Sequence, residues 1–325
     1  MSGRRAKVAV VEGDGIGPEV IRSAMAVLTS VGALIEPVPV ELGFGRWKRT
    51  GQAMTEEDLD LIRECGCILF GAITTPPDPN YRSVLVTLRK KLDLYANLRP
   101  FVGGKIDLLI VRENTEGLYS GVEEIGEDES RTVRVITRKG SKRIAEKACE
   151  LASKRRKLTI VHKANVLKSD HLFLEVCRDA ARRFGVPFED MLVDAAAYNL
   201  VLRPEKFDVL VTTNLFGDIL SDLAAGVIGG LGLCPSANLG ERYALFEPIH
   251  GSAPDIAGKG ISNPIGAIRS AGMMLSWLGQ EEMAGRIDEA VMWAIESGFV
   301  TPDIGGVFTT EEVTRRIAAH LQSTE

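Results

Sequence analysis

Two aspartates four residues apart, Asp218 and Asp222, lie in Asn214-Leu-Phe-Gly-Asp-Ile-Leu-Ser-Asp-Leu-Ala-Ala-Gly226, directly after an apolar run. On a helix that spacing projects both carboxylates from one face, which suits a hard divalent cation such as Mg²⁺ or Mn²⁺. Without a cation, like charges so placed are mildly destabilising. A solvated acidic face is the plain alternative, weakened by apolar, glycine-rich neighbours and by a third carboxylate, Asp194, at the end of another apolar run. Arginine gathers suggestively: Arg82 and Arg89 in one helical pattern, Arg99 in Asn-Leu-Arg-Pro, and Arg112 closing an apolar strand pattern. A guanidinium cluster holds carboxylates by bidentate bonds and implies a polyanionic organic acid, although each arginine alone reads as a surface ion pair. Lys163 in His-Lys-Ala-Asn and Tyr119 in Glu-Asn-Thr-Glu-Gly-Leu-Tyr stand at strand exits, where α/β proteins carry proton-transfer residues, structural roles being the ordinary alternative.

Short apolar runs alternating with amphipathic segments must position these groups, and that alternation is the signature of an α/β fold. Strands are expected at 6–11, 67–72, 107–112, 157–162, 190–195 and 207–213, and helices at 17–30, 55–64, 81–92, 141–155, 171–184 and 215–225. Further helices are expected near 263–278, 280–296 and 309–320. Gly13-Asp14-Gly15-Ile16-Gly17 follows the first strand, but its GxGxG spacing is not the GxGxxG of a dinucleotide loop, so a plain strand-to-helix turn competes evenly. Residues 121–139 flank a polar turn with alternating residues and predict a hairpin, either an oligomer arm or a solvated surface feature.

A length of 325 residues favours two lobes over one core. Net charge −5 argues against a surface for nucleic acid or an anionic membrane, and no apolar run approaches the roughly 18 to 20 residues of a membrane span. Five cysteines without metal-site or redox spacing fit a reducing, cytoplasmic setting, and Cys65 and Cys67 read as structural residues.

Taken together, GDGIGPE, LDLYANLRP, VRENTEGLY, HKANV, TTNLFGDILSDLAAG and FEPIHGSAPDIAGKGISNP, in this order, resemble the β-decarboxylating dehydrogenases acting on isocitrate, 3-isopropylmalate and homoisocitrate. The resemblance runs through essentially the whole chain. It implies that family's α/β fold, which is not the Rossmann fold: two α/β lobes with an active-site cleft between them, 1–98 with 229–325 as the cofactor-side lobe and 99–228 as the second. It also implies a homodimer with shared active sites and the 121–139 hairpin as its arm. Arg89, Arg99 and Arg112 would grip the malate carboxylates. Asp218 and Asp222 would hold Mg²⁺ or Mn²⁺ together with the partner subunit's Asp194. The partner subunit's Lys163 would act as base at the C2 hydroxyl, and Tyr119 would protonate C3 after carbon dioxide leaves. A non-catalytic regulatory subunit of this family would lack members of that set, all of which are present.

The resemblance extends to the cofactor and the substrate. His250, Gly251, Ser252 and Ala253 lead to Asp255-Ile256, which resembles the NAD form, where an aspartate accepts from the adenosine ribose hydroxyls; Asn263 would lie near the adenine. NADP forms carry Lys-Tyr at the two positions. On residue type alone Asp255 is equally a helix cap. Arg82, Leu85, Val86 and Arg89 share a face at helical spacing, so the first three should surround the variable group of the substrate. Isocitrate enzymes resemble Ser-x-Asn here; Ser83 is present, but Leu85 replaces the asparagine. Leu85 and Val86 match the apolar wall of isopropylmalate enzymes, with Arg82 in place of a glutamate. The arginine that bacterial-type homoisocitrate enzymes can carry at the Val86 position is absent, although Arg82 could meet a distal carboxylate. The expectation is therefore NAD-dependent oxidative decarboxylation of a (2R,3S)-3-substituted malate, 3-isopropylmalate first, as in leucine biosynthesis. Homoisocitrate, or a broad isocitrate/homoisocitrate activity, is the alternative.

Overall fold

The computed structural model describes residues 5–78, 80–104 and 106–323. The chain opens with β1 (Ala6–Gly13), α1 (Gly17–Ser30), β2 (Ile35–Pro39), α2 (Phe44–Thr50), α3 (Glu56–Cys65), β3 (Cys67–Ala72) and α4 (Val84–Lys91). It continues through β4 (Ala96–Gly103), β5 (Ile106–Glu113), the short strands β6 (Glu123–Ile125) and β7 (Ser130–Thr132), and α5 (Arg138–Ala152). Next come β8 (Leu158–His162), α6 (Ser169–Phe184), β9 (Phe188–Leu192), α7 (Val193–Leu202), β10 (Val209–Thr212) and α8 (Asn214–Ile228). The last stretch holds β11 (Pro235–Leu239), β12 (Ala244–Pro248), α9 (Ile265–Trp277), α10 (Glu281–Glu296) and α11 (Thr310–Ser323).

Two compact units result. The first takes the chain through Leu92, then Gly229–Ala237, then the residues from Glu241 onward; the second is Asp93–Ile228 with Asn238–Gly240. In the first unit the strand order β2-β1-β3-β12 is parallel throughout. Every residue of β3, Cys-Ile-Leu-Phe-Gly-Ala, is buried, as expected of a parallel strand covered on both faces. α1 packs on α9 and α11, and α10 on α9 and α11. In the second unit the order is β4-β5-β10-β8-β9, antiparallel only between β4 and β5. Its core is the apolar ladder of Ile110, Val111, Ile160, Val161, Leu210 and Val211, each fully buried. Burial of one such side chain contributes about 1.5–3 kcal/mol.

The glycine motif is a tightly packed turn. Gly13 and Gly15 have φ of +77° and +59°, and a Cβ on either would lie 1.9 Å from a carbonyl oxygen, that of Ala72 or of Ser252. Only glycine fits, and both glycines face protein backbone. The hairpin is shorter than its pattern suggests: β6 pairs with β7, and Thr137 then caps α5, whose first residue is Arg138. Among the described residues no helix is long and apolar enough to cross a membrane.

Candidate active site

In the second unit three elements deliver polar side chains to one carboxylate of a fourth. β5 carries Arg112 one residue before its end; the side chain is 1% exposed, its Nε and Nη2 donate to Asn214 Oδ1 at 3.0 and 2.7 Å, and its Nη1 donates to Asp218. β4 presents Arg99, buried, whose Nη1 donates to Ser221 Oγ at 2.6 Å and lies 3.5 Å from Asp218 and 3.8 Å from Asp222. Tyr119, on the single turn Leu118–Ser120, donates its hydroxyl to Asp218 Oδ2 at 2.7 Å, and its ring centroid lies 5.4 Å from the Arg112 guanidinium. α8 carries the receiving end, Asp218, with Asp222 one turn on and 60% exposed. Partial burial pushes the Asp222 carboxyl above the ordinary carboxylate range; Arg99 and Arg112 oppose this and the charge of Asp218 adds to it. A divalent cation on this pair would relieve the repulsion between the carboxylates, and the donor set, hard oxygens at one helix turn, fits Mg²⁺ or Mn²⁺.

Gly217 makes the Arg112 path possible, because a Cβ there would lie 2.6 Å from Arg112 Cγ and 2.7 Å from its Cβ. Gly217→Ala is therefore expected to push the arginine off α8. Overpacking of this kind costs about 1–3 kcal/mol, and thermal unfolding should register it. If Arg112 grips a substrate carboxylate, as the resemblance implies, KM for the acid should also rise by about tenfold, read in steady-state kinetics.

Lys163 and Asp194 meet each other instead. Lys163 leaves β8, its backbone N–H donating at 2.7 Å to Asp170, a fully buried carboxylate paired with Arg134. Its ammonium pairs with Asp194, and that hydrogen bond holds the Asp194 carboxyl below its ordinary range. Asp194 does not close a strand as its apolar run suggested: β9 stops at Leu192, and Asp194 occupies the first turn of α7. Among the described residues no set of three His, Cys, Asp or Glu side chains converges as a cation site. Among the described residues, Asp218 and Asp222 therefore stand without a third carboxylate.

In the first unit Arg89, buried on α4, donates to Glu247 Oε1 at 3.0 Å, and its Nε has no partner among the described residues. Leu85 and Val86 are half-buried in the first turn of the same helix, one turn before Arg89. Arg82 is not on that face. The helix starts at Val84 with Ser83 as its N-cap, the Ser83 hydroxyl lying 3.5 Å from the Val86 N–H, and exposed Arg82 precedes the cap.

The loop after β12 carries the expected cofactor residues. Burial lowers the pKa of His250, whose Nδ1 lies 3.0 Å from Gly251 O while Nε2 has no partner among the described residues. Ser252 is buried, accepting from Ile16 N through its carbonyl at 2.9 Å and from Thr74 Oγ1 through its hydroxyl at 2.7 Å. Ala253 holds a left-handed φ of +37°, and Gly251 is exposed. Asp255 is exposed within a turn, with Ile256 half-buried beside it, and α9 begins only at Ile265. The helix-cap alternative for Asp255 is thereby removed. Asn263 is the residue tied to that helix: its Oδ1 accepts from Ile265 N at 3.0 Å, and its Nδ2 donates to Asp303 at 3.1 Å.

Asn214, Asp170 and Arg134 escaped the reading by residue type. Asn214 had a signal, a lone amide between an apolar strand and a helix, whereas the Asp170–Arg134 pair joins residues distant in sequence and left none.

The sequence profile described as isocitrate/isopropylmalate dehydrogenase matches residues 7–317. A homoisocitrate dehydrogenase of Methanocaldococcus jannaschii is 47% identical, the match covering 97% of this chain and 98% of the relative. A 3-isopropylmalate/3-methylmalate dehydrogenase of the same organism is 46% identical over 97% of this chain and 99% of its own. The crystal structure of isocitrate dehydrogenase from Methylococcus capsulatus superposes with a TM-score of 0.94 at 44% identity, covering 97% of this chain and 99% of that one. A match of this extent in sequence and in fold leaves one assignment: the chain belongs to the isocitrate/isopropylmalate dehydrogenase family and is a β-decarboxylating dehydrogenase.

Proposed function

We propose that the protein catalyses NAD-dependent oxidative decarboxylation of a (2R,3S)-3-substituted malate, with 3-isopropylmalate the preferred acid. The observation that carries this reading is the convergence of Arg99, Arg112 and Tyr119 on Asp218, one helix turn from Asp222. Two buried guanidiniums beside a phenol supply charge for the carboxylates of the acid and a proton for its carbon. Arg89, a further buried guanidinium, would add a grip on a carboxylate. When bound, NAD would supply the acceptor for the C2 hydride and a divalent cation held by Asp218 and Asp222 would supply positive charge for the C2 oxygen. Lys163 takes the proton of the C2 hydroxyl. Tyr119 returns a proton to C3 of the enolate. His250–Ala253, Asp255, Ile256 and Asn263 form the NAD side, and the exposed Asp255 carboxylate would accept from ribose hydroxyls and repel a 2′-phosphate.

A homodimer completes the assignment. α7 and α8 pack together and leave Tyr198, Val201, Leu202, Ile219 and Val227 exposed, an apolar face suited to a second copy. Such a copy would contribute the partner subunit's Lys163 and Asp194 to the Asp218–Asp222 pair.

Leu85 and Val86 in the first turn of α4 support an apolar substituent, and the Ser83 hydroxyl faces the helix it caps. Exposed Arg82 beside that cap supports homoisocitrate, with its distal carboxylate, as the second reading. An apolar pocket discriminates one methylene by only about 1–3 kcal/mol, so partial turnover of related acids is expected. Steady-state kcat/KM for 3-isopropylmalate, homoisocitrate and isocitrate with NAD tests the order. 3-Isopropylmalate should lead, and a preference for isocitrate by more than about tenfold would overturn it.

A further inference from the structure

We propose that Asp14 is a positioning residue that sets the substrate-recognising first turn of α4 and the NAD loop in one fixed relation. The inference rests on the reading that Leu85 and Val86 meet the substituent and that His250–Ile256 meets NAD. All the residues involved lie in the first unit.

Toward the NAD loop, the turn that carries Asp14 is locked by its glycines. Gly15 lies against the backbone of Ser252 too closely for any Cβ, and Ile16 N donates to Ser252 O at 2.9 Å. Thr74 makes the second contact with the same residue through its hydroxyl, and its own backbone N–H donates to Asp14 Oδ2 at 3.1 Å. Asp14 thus holds one of the two segments that hold Ser252 and is part of the other.

Toward α4, Asp14 organises a helix that could not form alone. α2 has seven residues and a glycine at its N-cap, so it has neither the length nor a local side chain to satisfy its first N–H groups. Asp14 reaches it from 30 residues earlier, accepting from Phe44 N at 2.9 Å and Gly45 N at 2.8 Å. Gly43 leaves room for the approach, since a Cβ there would lie 2.7 Å from Asp14 Oδ2. With α2 fixed, Phe44 and Trp47 stack on each other and both meet the ring of Tyr81 edge-on, centroids 5.8 and 5.7 Å away. Tyr81 is buried and stands two residues before Ser83, the cap of α4. One carboxylate with three charge-assisted backbone N–H bonds of 2.8 to 3.1 Å therefore controls where α4 starts.

The contact order makes the roles separable. Asp14 touches both branches, whereas Tyr81 belongs to the α4 branch alone. Asp14→Asn keeps the shape and replaces one acceptor oxygen by an NH₂ group that clashes electrostatically with a backbone N–H. It should raise KM for NAD and for the acid by about fivefold or more each and narrow the ratio of kcat/KM between acids, with kcat within about threefold of wild type. Tyr81→Ala should raise KM for the acid and narrow the same ratio, with KM for NAD within about twofold. The proposal is overturned if Asp14→Asn, folded by thermal unfolding, leaves both KM values within about twofold and lowers only kcat, as a general loosening would. It is overturned equally if Tyr81→Ala changes KM for NAD as much as Asp14→Asn does. Both variants are compared with wild type on whichever acid wild type turns over, so an error in the substrate assignment shows in the wild-type ranking and not in these changes.

Discussion

Lys163→Met is expected to give a folded protein whose turnover is lower by about a thousandfold, measured as NADH formation at saturating acid, NAD and cation. Methionine keeps an unbranched chain only one atom shorter and removes the only group at this position able to accept a proton. The backbone bond from Lys163 N to Asp170, which fixes the exit of β8, is untouched by the change. The lost ion pair costs little, because Asp194 is 64% exposed and paired in water-accessible surroundings. Thermal unfolding near that of wild type together with lost turnover is the expected pair of results. A variant within about tenfold of wild type would remove Lys163 from proton transfer.

Asp222→Asn carries the second large effect. The side chain is 60% exposed and its nearest cationic contact is Arg99 at 3.8 Å, so the fold does not depend on it. If its carboxylate is a cation ligand, the variant puts an amide oxygen, a weaker and neutral donor, in its place. Mn²⁺ affinity, followed by electron paramagnetic resonance or calorimetry, should fall by about tenfold or more, and turnover by about a hundredfold. The binding readout separates cation loss from a defect in chemistry. Unchanged Mn²⁺ affinity would show that Asp222 is not a ligand.

The strands and helices with strong patterns were legible because their burial is simple. β3 is six buried residues and reads as one apolar run, and Val209–Thr212 behaves likewise. Elements that depend on distant partners were not. α2 is capped by Asp14 from another part of the chain, and neither Gly43 nor Phe44 announces a helix. β4 carries Pro100 and lacks alternation; it is a strand because it pairs antiparallel with β5, Pro100 opposite Leu109. α7 was hidden by the apolar run of β9, which continues into Ala-Ala-Ala without a glycine or proline to mark the change. That missed boundary is the reason Asp194 read as a strand end.

At the site, where the charged side chains meet could not be read from residue types. Asp218 and Asp222 share α8 as their spacing required, and Arg99, Arg112 and Tyr119 reach the same carboxylate from β4, β5 and a single turn. No local pattern encodes that convergence, since it depends on the antiparallel pairing of β4 with β5 and on Gly217 opening a path for Arg112. Arg82 shows the reverse failure: helical spacing placed it with Leu85 and Arg89, and a cap one residue later leaves it outside the helix.

The most direct measurement of the account is product stoichiometry with the purified protein, NAD, a divalent cation and 3-isopropylmalate, monitoring NADH by absorbance and carbon dioxide by trapping. One NADH and one carbon dioxide are expected for each acid consumed, with both lost on chelation of the cation. Consumption of none of the 3-substituted malates, or NADH formed without carbon dioxide, would contradict it.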